Sequence, residues 1–131
     1  MAAESNRPLS PHLQVYKWGP AMLVSILHRA TGDGLAIVGV LVFLWWLGAA
    51  ASGAEAYTSF IGLASAWYGQ MLLIGLTWAF FQHSCSGLRH LLLDTGAGYE
   101  LNTNRTWAIV VAITPVILTA AVWLFIYYKG L

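Results

Sequence analysis

Charge is what this 131-residue chain has least of: Asp, Glu, Lys and Arg together make up 8% of it, and the net charge at neutral pH is +1. A soluble domain of this size covers its surface with about a quarter charged residues, so the exterior here must largely face lipid. The near-neutral balance offers no basic surface to a nucleic acid. Cysteine is almost missing as well. A single Cys85 cannot close an internal disulfide, build a thiolate cage for a metal or hold an iron–sulfur cluster, and the redox compartment is left open. There is no G-x-G-x-x-G for a dinucleotide. The first twenty residues hold no apolar run of signal-peptide type, and one arginine falls short of a transit peptide, so no cleaved leader is expected. Repeats and low-complexity tracts are lacking too.

What is there is apolar and aromatic: 59% of residues are hydrophobic and seven are tryptophan. A hydrocarbon core about 30 Å thick takes about 20 apolar residues at 1.5 Å rise each. Three segments answer to that, and the chain reads as all-α and integral to a membrane, with spans at about 20–51, 65–90 and 106–128. The apolar run "LAIVGVLVFLWWLGAAA" is short by itself, but Pro20 suits the first turn of a helix that enters the membrane earlier. Gly32 and Gly34 are candidate bends in it. Trp67 to Leu88 supplies 22 uncharged residues for the second span. In the third, Trp107, Tyr127 and Tyr128 fit interfacial anchors, and Pro115 should loosen one helical hydrogen bond without ending the helix. Residues 1–19 form a separate amino-terminal segment ahead of the three-helix domain 20–131.

Cationic residues set the orientation, because loops on the cytoplasmic side retain positive charge. Arg7, Lys17, Arg29, Arg89 and Arg105 fall on one side of the predicted membrane and only Lys129 on the other, while the loop between the first two spans has only Glu55. The amino terminus and the loop from Arg89 to Arg105 are therefore expected in the cytoplasm. His28, Arg29, His83 and His90 then gather at one membrane face.

Polar groups at such depth face a bundle interior and find a partner. His83 and His90 are seven positions apart, nearly two helical turns, with Gly87 between them on the same face. A neutral imidazole there can ligate haem iron through one nitrogen while the other is oriented by an acceptor. It can equally hydrogen-bond a neighbouring helix, and spacing leaves both open. His28 could share an iron with His83, but its place beside Arg29 at headgroup depth suits a neighbour of haem carboxylates better. Ser25 and Arg29, one turn apart in "SILHR", could hold and polarise a quinone oxygen, although a snorkelling arginine and a serine bonded to its own helix are the simpler reading of these residues alone. Asp94 could pair with Arg89 or His90, and Asn104 could cap the third helix. Trp45, Trp46, Trp67, Trp107 and Trp123 read as lipid-facing or interfacial packing.

Three stretches, "RPLSPHLQVY", "SILHRATG" and "HSCSGLRHLLLDTG", carry a resemblance that covers almost the whole chain. They are similar to the cytochrome b556 membrane anchors of succinate dehydrogenase, respiratory complex II. The family pattern H-x-x-x-G-[IL]-R-H-[LM]-x-x-D is met at His83, Gly87, Leu88, Arg89, His90, Leu91 and Asp94. Its S-x-x-H-R-x-[TS]-G pattern is met at Ser25, His28, Arg29, Thr31 and Gly32. The resemblance implies a four-subunit complex of the tricarboxylic acid cycle and the respiratory chain, with a flavoprotein, an iron–sulfur protein and a second anchor completing the helical bundle. It implies His83 as an axial ligand of a haem b shared with that second anchor, and His28, Arg29 and His90 near the haem propionates. It further implies Ser25 and Arg29 at the site where ubiquinone is reduced. The succinate-oxidising site would lie in other subunits, and the membrane would be a bacterial inner membrane. A fumarate reductase anchor, or a purely structural anchor whose histidines only pack helices, are the competing readings.

Overall fold

A computed structural model describes residues 17–130, so Arg7 and His12 and most of the segment 1–19 lie outside it. The described residues form four helices and no strand: α1 (Pro20–Ser52), α2 (Ala54–Ser65), α3 (Trp67–Asp94) and α4 (Leu101–Lys129). This is an all-α integral membrane protein. Helices α1 and α4 are each long and apolar enough to cross a membrane, whereas α3 meets that condition only together with α2. The reason is compositional, since the loop half of α3 carries Gln82, His83, Ser84, Ser86, Arg89 and His90.

Local chemistry accounts for the boundaries. Pro20 opens α1, and the carbonyl of Gly19 accepts from the N–H groups of Met22 and Leu23. The helix is not bent sharply at Gly32 or Gly34; it passes instead through a π-helical stretch, Leu35–Gly39, and continues. Thr31 sits just before that stretch and donates to the carbonyls of Leu27 and His28 at 2.7 and 3.1 Å, the kind of side-chain competition that loosens a helical ladder.

The second span was expected at about 65–90; the helix there begins at Trp67, and a separate helix α2 precedes it across a break at Ala66, at 79° to α3. Gly69 makes the corner possible. A Cβ there would lie 2.1 Å from the Leu63 carbonyl oxygen, so any side chain would force the end of α2 off the start of α3. Gln70 then seals the corner by donating to the Ser65 carbonyl at 3.0 Å. Pro115 sits inside α4 without ending it, as expected.

Inside and outside are arranged for lipid. Val24, Ala108 and Val111 form the small apolar centre where α1, α3 and α4 meet, while the buried polar residues are Thr31, Gln82, Ser86, Arg89 and Thr119. Leu, Ile, Phe and Trp side chains populate the exterior, including Trp45, Trp46, Trp67 and Trp107. In hydrocarbon, burying a leucine gains little, so association rests on close packing of small residues and on hydrogen bonds between helices. Trp123 contributes one of these, donating from Nε1 to the Thr77 hydroxyl on α3 at 3.3 Å.

Candidate functional site

The first turns of α1, the last turns of α3 and the start of α4 meet at one end of the bundle, and the histidines meet there. The rings of His28 and His83 stack, with centroids 4.0 Å apart and planes at 11°, and His90 lies against His28 at 5.1 Å and 48°. Among the described residues no three His, Cys, Asp or Glu side chains are arranged to chelate a metal ion.

His83 is held from two sides. Its Nδ1 lies 3.0 Å from the backbone oxygen of His28, and because a carbonyl can only accept, Nδ1 is the donor; in the neutral ring that leaves the lone pair on Nε2. On the other side is the backbone of Gly32, where a Cβ would come within 2.8 Å of His83 Cε1 and 3.2 Å of Nδ1. Glycine is needed at 32 for this close approach rather than as a bend. The role is legible in the sequence only once the partner of Gly32 is known. Gly87 is less constrained, since a Cβ there would be in ordinary contact, 3.7 Å from His28 Cε1.

The rings of His28 and His83 thus lie face to face, not nitrogen to nitrogen. Buried Nδ1 of His28 has no hydrogen-bond partner, so that ring keeps a polar atom to offer a further group.

Ser25 is half-buried and Arg29 exposed on α1, on either side of the turn that carries His28. The structure thus brings Ser25, His28, Arg29, His83 and His90 to one end. Arg89, however, donates to the side-chain oxygen of Asn104 on α4. Asn104 is accordingly no cap. The helix starts at Leu101 after Glu100, whose carbonyl accepts the Asn104 N–H at 2.8 Å and whose carboxylate accepts from the Thr103 hydroxyl at 3.3 Å.

Gln82 and Ser86 were not singled out by the sequence reading, yet both are fully buried, and Gln82 Nε2 donates to Ser86 Oγ at 2.9 Å. With Arg89 they form a polar stripe at i, i+4 and i+7 inside an apolar run. That spacing was the available signal.

Residues 3–122 match the family model of the succinate dehydrogenase/fumarate reductase transmembrane subunit. The chain belongs to that family. It is 43% identical over 96 residues to the succinate dehydrogenase cytochrome b556 subunit of Paracoccus denitrificans, covering 73% of each chain. It is 35% identical over 121 residues to the subunit of that name in Rickettsia conorii, covering 91% of this chain and 92% of the relative. The mitochondrial succinate dehydrogenase cytochrome b560 subunit of Mus musculus is 40% identical over 103 residues, which cover 74% of this chain and 58% of the relative.

Proposed function

We propose that this chain is a haem-carrying membrane anchor of succinate dehydrogenase, with His83 Nε2 as one axial ligand of a b-type haem. The observation that carries the reading is the hydrogen bond from His83 Nδ1 to the His28 carbonyl, which fixes the tautomer and aim that a ligating imidazole requires. When bound, the haem supplies a one-electron centre inside the membrane. The second ligand comes from the other anchor subunit, since the stacked His28 is not placed to oppose His83. His28, with its unpartnered Nδ1, and the neighbouring Arg29 and His90 are suited to the haem carboxylates.

Ser25 and Arg29 form the quinone-side pair in this reading. The hydroxyl donates to a ubiquinone oxygen, and the guanidinium stabilises the negative charge that oxygen gains as electrons arrive from the iron–sulfur subunit. The flavoprotein subunit oxidises succinate, and this chain has no site of its own for that step. The names of the relatives favour the succinate direction over fumarate reduction. The bacterial relatives favour a bacterial inner membrane, and the distribution of cationic residues favours the histidine end towards the cytoplasm. In a Cys85→Ser background, a cysteine at Gly98 should be shielded from an impermeant thiol reagent applied to intact cells and one at Glu55 labelled; the reverse pattern inverts the topology.

The deciding experiment is the reduced spectrum of the purified four-subunit complex. His83→Ala should lose the low-spin b-type bands and loosen the pairing of the two anchors, while His12→Ala should keep both. An unchanged low-spin spectrum in His83→Ala removes His83 as the ligand and moves the assignment to His28 or His90.

A further inference from the structure

On the side of α3 away from the histidines, a groove of about 530 Å³ runs between α3 and α4 at the loop end of the bundle. Arg89 forms part of its wall, six residues on from His83 and so about 120° around the helix. The rest is mainly apolar, with Leu88, Leu92, Trp107 and Val110 among the lining residues and Asn104 beside the arginine. Along α4 the groove extends from Thr103 to Thr114, about 16 Å at 1.5 Å per residue.

Arg89 is out of keeping with such a wall. Long cations near the end of a membrane helix reach for the headgroup region, but Arg89 is only 8% exposed. Its guanidinium has five N–H donors. Its side-chain bond is to the neutral amide of Asn104, and its buried Nε is without a hydrogen-bond partner. A buried cation left without a counter-charge is strongly unfavourable, and among the described residues no carboxylate is bonded to it. None of the described residues supplies the counter-charge.

We propose that this groove holds one anionic phospholipid, its phosphate against Arg89 and an acyl chain along the apolar trough towards Thr114. Charge and shape point to the same occupant. A phosphate supplies several acceptor oxygens to a planar guanidinium, and the trough continues down the helix pair as an acyl chain would, whereas a carboxylate from a neighbouring helix would use only its upper end. The site does not rest on the haem reading, because its residues lie on a different face of α3.

Native mass spectrometry of the detergent-purified four-subunit complex tests this. After delipidation, the complex is offered phosphatidylglycerol or phosphatidylethanolamine in defined amounts. Wild type should retain one tightly held phosphatidylglycerol in at least tenfold preference to phosphatidylethanolamine. Arg89→Gln, which keeps hydrogen-bonding capacity but no charge, should abolish the preference. Val110→Trp, which fills the trough without touching Arg89, should abolish retention of the lipid while leaving the haem spectrum and quinone reduction unchanged. If Arg89→Gln does not assemble, Val110→Trp decides alone. Equal retention of both lipids by wild type, undiminished retention in Val110→Trp, or an acidic residue of the second anchor found cross-linked into the groove overturns the proposal.

Discussion

The two ends of this bundle solve opposite problems. At the loop end the polar side chains are drawn inward: Gln82 and Ser86 are fully buried, Arg89 nearly so, and His28, His83 and His90 lie half-buried against one another. At the far end they stay on the rim. There the Tyr127 hydroxyl donates to the Gln70 side-chain oxygen at 2.8 Å in an exposed pair, Trp67 is 75% exposed, and Phe60 of the short helix α2 is tucked edge-on against Trp45 with centroids 4.8 Å apart. Rim aromatics with a polar tip suit an interface that is half wet. Polar groups sealed inside suit hydrocarbon depth, where each needs a partner within the protein or a ligand. Buried polar side chains are thus concentrated at one end and rim aromatics at the other.

Substitutions at the two ends should separate accordingly. The largest effect is expected from Arg29→Ala, which should lower ubiquinone reduction on the order of a hundredfold, the usual cost of removing a group that stabilises developing negative charge. Ser25→Ala should follow in the same direction with a smaller loss. In both, succinate oxidation with an artificial acceptor at the soluble subunits should persist, and steady-state kinetics with each acceptor would reveal any departure. Gly32→Ala comes next. The added methyl meets the His83 ring at 2.8 Å, so the ring must shift, at about 1–3 kcal/mol for overpacking. The readout is a shifted haem potential and absorption maximum in an assembled complex; an unaltered spectrum would show that Gly32 does not set the ring.

Phe60→Ala should do least. Phe60 is buried, so removing its ring leaves a cavity at the far end and costs stability alone, visible as a drop in the thermal midpoint of the detergent-solubilised complex. Haem spectrum and quinone kinetics should stay as in wild type. If Phe60→Ala changed the haem as much as Gly32→Ala does, the two ends would not be independent and the contrast would fail.

Much of the loop end was legible beforehand, since Ser25, His28, Arg29, His83 and His90 are conspicuous in so apolar a chain and their spacing places them at one depth. The stripe of Gln82, Ser86 and Arg89 was equally available from its i, i+4, i+7 spacing, but neutral polar residues attract less notice than charges. The second span was placed at about 65–90, close to its start at Trp67, but the short helix α2 ahead of it was not legible, and the close approach that demands Gly69 exists only after the chain has turned. Asn104 misled for a related reason: a polar residue near a helix start resembles a cap until a buried arginine on another helix claims it.

Composition alone settled that this chain lives in lipid and is helical, because so few charges cannot cover a soluble surface and unpaired backbone is not tolerated in hydrocarbon. The sequence likewise determined which residues are exceptional, since a histidine or arginine within an apolar run is costly wherever it lands. Only tertiary structure decided what each of them meets. His28 and His83 are 55 positions apart, and nothing in either stretch specifies that the carbonyl of one accepts from the ring of the other or that Gly32 leaves room for it. Those contacts depend on the rotation and depth at which α1 lies against α3, which small residues and hydrogen bonds fix by close packing, and that is a property of helix pairs rather than of any segment read by itself.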